Sequence, residues 1–127
     1  MGKYIAMCQE DCKIENSLKP DICTVCITQR LMNGKWKWLI VYLLKDKRMR
    51  FSEIKRAIPK VTQAYLSSQL KELVEDSILE RYSHNVVPPK VEYYLSEEGK
   101  QFVDIIEGMG SWGAGYLGKH FTMETGD

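Results

Sequence analysis

The stretch Phe51-Ser52-Glu53-Ile54-Lys55-Arg56-Ala57-Ile58-Pro59-Lys60-Val61-Thr62-Gln63-Ala64-Tyr65-Leu66-Ser67-Ser68-Gln69-Leu70-Lys71-Glu72-Leu73-Val74-Glu75-Asp76 decides the fold. Ser52 reads as the N-cap of a short helix with Ile54, Ala57 and Ile58 on one face. Pro59 ends that helix, because it lacks an N–H and its ring clashes with the preceding turn. From Thr62 to Asp76, the apolar residues Leu66, Leu70, Leu73 and Val74 fall within about 100° of one another at 100° per residue. Ala64, Ser67, Ser68 and Lys71 point the other way. A helix face that only meets water usually carries more charge than Gln63, Ser67, Ser68 and Gln69 supply. Two short helices joined by Pro59-Lys60-Val61, the second with a polar readout face, read as a helix-turn-helix.

Downstream the period changes from 3.6 to 2. Ile78 to Ser83 and Val91 to Leu95 read as strands, joined by His84-Asn85 and Val86-Val87-Pro88-Pro89-Lys90. The prolines cannot donate to a ladder, so they belong in the tip of a stiff hairpin. Ser96 then caps a last helix with Glu97 and Glu98 in its first turn. Phe102, Val103, Ile105, Ile106, Met109 and Trp112 give this helix more apolar surface than one small domain covers. A contiguous exposed patch of that kind predicts an isologous pairing with a second copy. Upstream, Asp21 precedes the periodic residues Ile22, Val25, Cys26, Ile27, Leu31 and Met32, a helix that stops at Asn33-Gly34. Trp36 to Leu44 is apolar nearly all round, a helix for the middle of the core, with Trp36 and Trp38 as core residues. The expected class is mostly α with a small β-hairpin (α+β): a winged helix-turn-helix with N- and C-terminal dimerisation helices. Residues 1–22 form an N-terminal arm, and residues 23–127 the winged domain with its C-terminal dimerisation helix.

With 127 residues, 44% hydrophobic and 28% charged, the chain suits one domain that buries enough surface to fold without disulfides or metal. Its longest purely apolar run, Trp38 to Leu44, falls far short of the ~20 residues that span a bilayer. Lys3, Glu10, Asp11, Lys13 and Glu15 interrupt the first twenty residues, so no secretory leader is read and a reducing cytoplasm is expected. The net charge of +1 is an average over unlike segments. Residues 30–71 hold eleven Lys/Arg against Asp46 and Glu53, a net of +9, whereas residues 72–127 are at −7. A basic block followed by an acidic one suggests one surface facing a polyanion and another facing solvent or a partner. The plainer alternative is that the basic residues only solvate helices.

The residues also carry a resemblance. Cys23 followed by Gly34-Lys35-Trp36, then Arg50-Phe51-Ser52-Glu53-Ile54, then Val61-Thr62-Gln63 leading into Leu66-Ser67-Ser68-Gln69-Leu70-Lys71-Glu72-Leu73, come in one order and spacing. Val87-Pro88-Pro89-Lys90-Val91-Glu92-Tyr93-Tyr94-Leu95-Ser96 and Gly99 continue it. From Cys23 to about Tyr116 the chain resembles the HxlR-type winged helix-turn-helix transcriptional regulators. That resemblance implies a cytoplasmic, DNA-binding homodimer, often with an N-terminal cysteine near the dimer interface that senses electrophiles or oxidants. Thr24 stands where the family usually has Pro, and Ala64 where a Lys often begins the recognition helix.

Cys8, Cys12, Cys23 and Cys26 all lie in the first 26 residues, spaced C-x3-C-x10-C-x2-C. In a reducing compartment, exposed low-pKa cysteines are more often redox-active than structural. Cys23 near a helix start has its thiolate favoured by the helix dipole, with Cys26 one turn on as a resolving thiol. A four-cysteine metal site and plain buried cysteines are the alternatives. Gly108-Met109-Gly110-Ser111-Trp112-Gly113 matches G-x-G-x-x-G without a preceding strand, so it reads as a place where two terminal helices approach rather than a nucleotide site. His84 and His120 belong to no catalytic order, and no enzyme or cofactor is expected. Thr62, Gln63, Ser67 and Ser68 are the candidates for base edges of double-stranded DNA, Gln63 being able to pair bidentately with adenine. Arg48, Arg50, Lys55, Lys60, Lys71 and Lys90 are the candidates for phosphates. The competing functions are a metal-responsive regulator using Cys8, Cys12, Cys23 and Cys26, and a winged-helix protein-interaction module that binds no DNA.

Overall fold

The computed structural model describes residues 19–121, with side chains from residue 24 onward. In chain order it runs α1 (Lys19–Leu31), α2 (Trp36–Leu43), β1 (Met49–Arg50), α3 (Phe51–Ala57), α4 (Gln63–Glu75), β2 (Leu79–His84), β3 (Lys90–Leu95) and α5 (Glu97–His120). This is the expected order with one addition. The hairpin β2–β3 is joined by β1 into a three-stranded antiparallel sheet ordered β1-β3-β2. Two residues show no period of their own. β1 exists because Met49 and Arg50 pair with Tyr93 and Glu92.

The helix-turn-helix forms for local reasons that the sequence carries. Thr62 Oγ1 accepts the Tyr65 N–H at 3.1 Å and so satisfies one of the free amides at the start of α4. Leu66, Leu70 and Leu73 then pass into the core together with Ile40, Val41, Ile54, Ile58, Ile78, Leu79 and Leu95. The end of α4 is closed by Ser77, in the left-handed region at φ +64°. The Ser77 N–H bonds to the Val74 carbonyl and the Ile78 N–H to the Leu73 carbonyl, and buried Ile78 leads into β2.

Packing corrects the sequence reading at several points. Arg50, not Ser52, is the N-cap of α3: the Arg50 N–H donates to Glu53 Oε1 at 2.8 Å, and Ser52 lies exposed inside the helix. The chain passes from β1 straight into α3, so the third helical residue reaches back to the strand's own amide. Ile54 and Ile58 are buried, but Ala57 is exposed. α1 already includes Lys19 to Ile22, so Asp21 is inside the helix instead of preceding it, and so is Cys23. Trp36 and Trp38 line the rim of the core instead of filling it, and Lys37 between them is buried at 2% exposure. Its ammonium pairs with Glu72 of α4 at 2.6 Å. Gln69, expected on the polar face, is 4% exposed between α4 and the turn at Gly34, whose φ is +88°.

α5 is anchored at one end only. Ser96 Oγ accepts the Gly99 N–H at 3.0 Å and lies within donating distance of the carbonyl oxygens of Ser77 (2.6 Å) and Ile78 (2.9 Å). A Cβ on Gly99 would stand 2.2 Å from the Ile78 carbonyl oxygen, so only glycine allows this close approach. Phe102, Val103 and Ile106 pack against the core, with Trp38 and Phe102 in edge contact at 5.6 Å. Of the apolar patch expected here, Phe102 and Ile106 thus belong to the rim of the core. The uncovered surface lies further along, at Ile105, Met109, Trp112, Tyr116, Leu117 and Phe121. Gly108, Gly110 and Gly113 sit inside this continuous helix and form no phosphate-cradling loop. Among the described residues, no helix is long and apolar enough to cross a membrane.

Candidate nucleic-acid interface

Three leucines hold one face of α4 in the core, which fixes the opposite face as a rigid polar surface. Gln63, Ala64 and Ser67 open onto a shallow hollow of about 590 Å³ whose remaining wall is Phe51 at the start of α3. The hollow lies between the two helices of the helix-turn-helix. Of the four residues expected to read bases, all are exposed, but they are not equally free. Thr62 Oγ1 is the cap of α4, and Ser68 Oγ donates to the Tyr65 carbonyl at 2.9 Å. The Gln63 amide and the Ser67 hydroxyl have no hydrogen-bond partner among the described residues. They are the groups left to meet an external donor or acceptor. Tyr65, 42% exposed on the same helix with its hydroxyl near Gly34, is not among the expected candidates.

The expected phosphate residues divide in the same way. Arg50, Lys60 and Lys71 are exposed, around β1, the turn and α4. Lys55 Nζ donates to the Pro59 carbonyl at 3.0 Å and closes the end of α3, so its charge is partly committed inside the protein. Lys90 Nζ stands 3.8 Å from Glu92 Oε2 at the base of the wing. Glu92 Oε1 meets His84 Nε2 across the hairpin at 2.8 Å. The hydrogen bond from His84 holds the Glu92 carboxyl below its ordinary range, with help from the Lys90 charge and against some loss of solvent. Arg48 lies against aromatic rings, its guanidinium 4.2 Å from the Tyr94 ring centroid and 5.8 Å from that of Tyr82. Lys37, counted in the basic block, is withdrawn from that surface by its pairing with Glu72.

Cys8 and Cys12 lie outside the described residues, and so does the Cys23 side chain. Cys26 is a free, half-buried thiol. Among the described residues, no group of three or more His, Cys, Asp or Glu could hold a metal ion.

A helix-turn-helix, a basic flank and a hairpin wing in this order match a known family. The family model for HxlR-like helix-turn-helix proteins covers residues 31–121. The chain belongs to that family. Among its HxlR-like relatives, an HTH-type transcriptional regulator of Methanothermobacter thermautotrophicus is 42% identical over 99 residues, covering 78% of this chain and 75% of that protein. The HTH-type transcriptional regulator YtcD of Bacillus subtilis is 41% identical over 92 residues, covering 72% and 73%. Among solved structures, the redox regulator HypR in its reduced form superposes with a TM-score of 0.69 at 40% identity, over 72% of this chain and 91% of that one. HypR in its oxidized form gives 0.69 at 41% identity, over 73% and 96%. The first two are named as transcriptional regulators and HypR as a redox regulator, and the expectation of an HxlR-type regulator rather than an enzyme agrees with them.

Proposed function

We propose that this chain is a cytoplasmic, homodimeric transcriptional regulator that binds specific double-stranded DNA. In this reading α4 enters the major groove and the wing at residues 84–90 lies along the backbone or minor groove. Gln63 and Ser67 reach base edges, with Thr62 and Ser68 contributing beside their roles inside α4. Arg48, Arg50, Lys60, Lys71 and Lys90 meet phosphates, with Lys55 a weaker partner. The observation that carries the reading is the free amide of Gln63 and free hydroxyl of Ser67 on a helix whose other face is fixed by Leu66, Leu70 and Leu73. Residues 23–127 act as the DNA-binding and dimerising unit, and α1 carries the chain continuously into it from Lys19, inside the expected arm of residues 1–22.

Dimerisation is supported by the uncovered apolar row Ile105, Met109, Trp112 and Tyr116, at spacings of four, three and four residues along α5. Among the described residues Trp112, stacked on Tyr116 of the same helix, is still 70% exposed. A short helical extension is marginal in water without a packed face. The likeness to HypR, named a redox regulator, supports a redox response; the thiol proposed for it is Cys23, with Cys26 or an arm cysteine as partner.

The deciding experiment is a salt titration of binding to a duplex selected from a random-sequence library by this protein. If about four of the basic side chains each neutralise a phosphate in every protomer, log K falls with log salt at a slope near −7 for a dimer. Gln63→Ala then loses about 1 to 3 kcal/mol on the selected duplex and little on random DNA, whereas Lys60→Ala weakens both alike. If no duplex is enriched, the DNA reading is wrong and a protein-interaction module replaces it. For the switch, diamide changes binding by wild type reversibly with a thiol reductant, and Cys23→Ser does not respond. A Cys23→Ser variant that responds like wild type removes Cys23 as the sensor.

A further inference from the structure

Arg48 stands apart from every other basic residue of the interface in how it is held. It directly precedes β1, whose buried Met49 forces Arg48 and Arg50 to the outer face of the sheet. On that face the guanidinium lies against Tyr94 of β3 at 4.2 Å and reaches toward Tyr82 of β2 at 5.8 Å, so it crosses the sheet from its edge. The strand register places the two tyrosines on a diagonal, Tyr82 opposite Glu92 and Tyr94 opposite Glu80. The cation rests over the rings, and among the described residues its N–H groups have no hydrogen-bond or ion-pair partner. The carboxylate on the same face is occupied: Glu92 directs Oε1 to His84 and Oε2 to Lys90. Glu80 Oε1 accepts from Tyr94 Oη at 3.3 Å. Among the described residues, no carboxylate lies within ion-pair distance of Arg48.

We propose that Tyr94, assisted by Tyr82, is a positioning residue that holds Arg48 with its in-plane donors free to grip a DNA phosphate beside the wing. This deepens the DNA-binding reading and rests on it. An exposed lysine or arginine samples many rotamers and loses that freedom on binding. Arg48 is ordered against the rings beforehand, and its planar fork matches two phosphate oxygens at once.

The test is the same salt titration on the library-selected duplex, run on four variants. Arg48→Ala lowers the slope by about two units for a dimer, from roughly 0.9 for each phosphate released. Tyr94→Leu removes the ring, keeps the bulk, and loses most of that same slope although Arg48 is intact. Tyr94→Phe keeps the ring, gives up the bond to Glu80, and restores the wild-type slope. Adding Tyr94→Leu to Arg48→Ala has no further effect, which a merely structural role for Tyr94 would not produce. A Tyr94→Leu protein with the wild-type slope, or an additive double variant, overturns the inference while the wild-type slope still supports DNA binding. Absence of any salt-dependent binding by wild type sinks the underlying reading instead.

Discussion

α4 and α5 begin in the same way and end in opposite ones. Each is capped by a hydroxyl that accepts an N–H three residues on, Thr62 for Tyr65 and Ser96 for Gly99. α4 then buries three leucines along its 13 residues, and its C-terminus is closed by the turn at Ser77. α5 has 24 residues, and beyond Ile106 its apolar side chains face solvent. A local start signal therefore says where a helix begins but not what holds it. α4 owes its position to the core, whereas among the described residues α5 beyond Ile106 leaves its apolar face exposed.

The widest contrast between the two helices is expected from truncating one large side chain in each. Leu70→Ala leaves a cavity at a fully buried site and lowers unfolding stability by about 3 to 4 kcal/mol in a urea titration. Trp112→Ala leaves the thermal unfolding of the DNA-binding body nearly unchanged but shifts light scattering at micromolar concentration toward the 14.7 kDa monomer. A Trp112→Ala protein that remains a dimer and also loses several kcal/mol would erase the distinction.

The second contrast lies in how α4 is tied to α2. Glu72→Ala leaves the buried Lys37 ammonium without its partner and costs about 3 kcal/mol, the low end for breaking a buried pair because Glu72 itself is half exposed. Lys37→Met removes the charge and keeps the volume, and costs less than about 1 kcal/mol. Chemical denaturation of both single variants checks the asymmetry. Equal losses would mean that the pair contributes through attraction alone.

A smaller difference separates the two caps. Thr62→Ala costs about 1 kcal/mol, whereas Ser96→Ala costs about 2, since Ser96 is buried and its hydroxyl also faces two carbonyl oxygens. Thermal melts of the two variants rank them.

The smallest effect concerns the wing, which neither helix supports along its length. The folded-state Glu92 carboxyl titrates below its unfolded value, so its contribution is present above the ordinary carboxylate range near pH ~4.3. That contribution is lost as pH falls through the lower folded value. Glu92→Gln flattens this acid dependence of amide exchange in β2 and β3. An unchanged profile in Glu92→Gln would show that the His84 contact has no such role.

The sequence was most readable where one local signal and one tertiary fact agree. The four- and three-residue spacing of Leu66, Leu70 and Leu73 is both helical and buried, so α4 was found with its ends nearly in place. Pairing and charge burial were not readable in this way. β1 is created by its partner Tyr93–Glu92, which is distant in sequence. Lys37 and Gln69 are polar residues that read as solvated until a partner helix covers them. The N-cap at Arg50 was missed because what is satisfied there is a backbone amide, and the side chain that names the residue plays no part. At the candidate interface, exposure of Gln63 and Ser67 followed from helical phase alone. The Arg48 contact needed three strands in register, which no single stretch of sequence encodes.

The close approach of Gly99 to the Ile78 carbonyl has a mechanical consequence. α5 is about 36 Å long at 1.5 Å per residue, and all of its firm attachments lie in its first three turns. It behaves as a lever with a short fixed end and a long free one. A tilt of about 5° at the Gly99 contact moves the axis by about 1.7 Å at Trp112 and about 2.7 Å at His120. Run in the other direction, a displacement of several ångströms imposed at the tip returns to the Ile78 carbonyl as a few tenths of an ångström. The 2.2 Å that a Cβ at Gly99 would leave cannot absorb even that. A glycine at this one position is what lets the first turn of the helix lie so close to the residue that leads into β2.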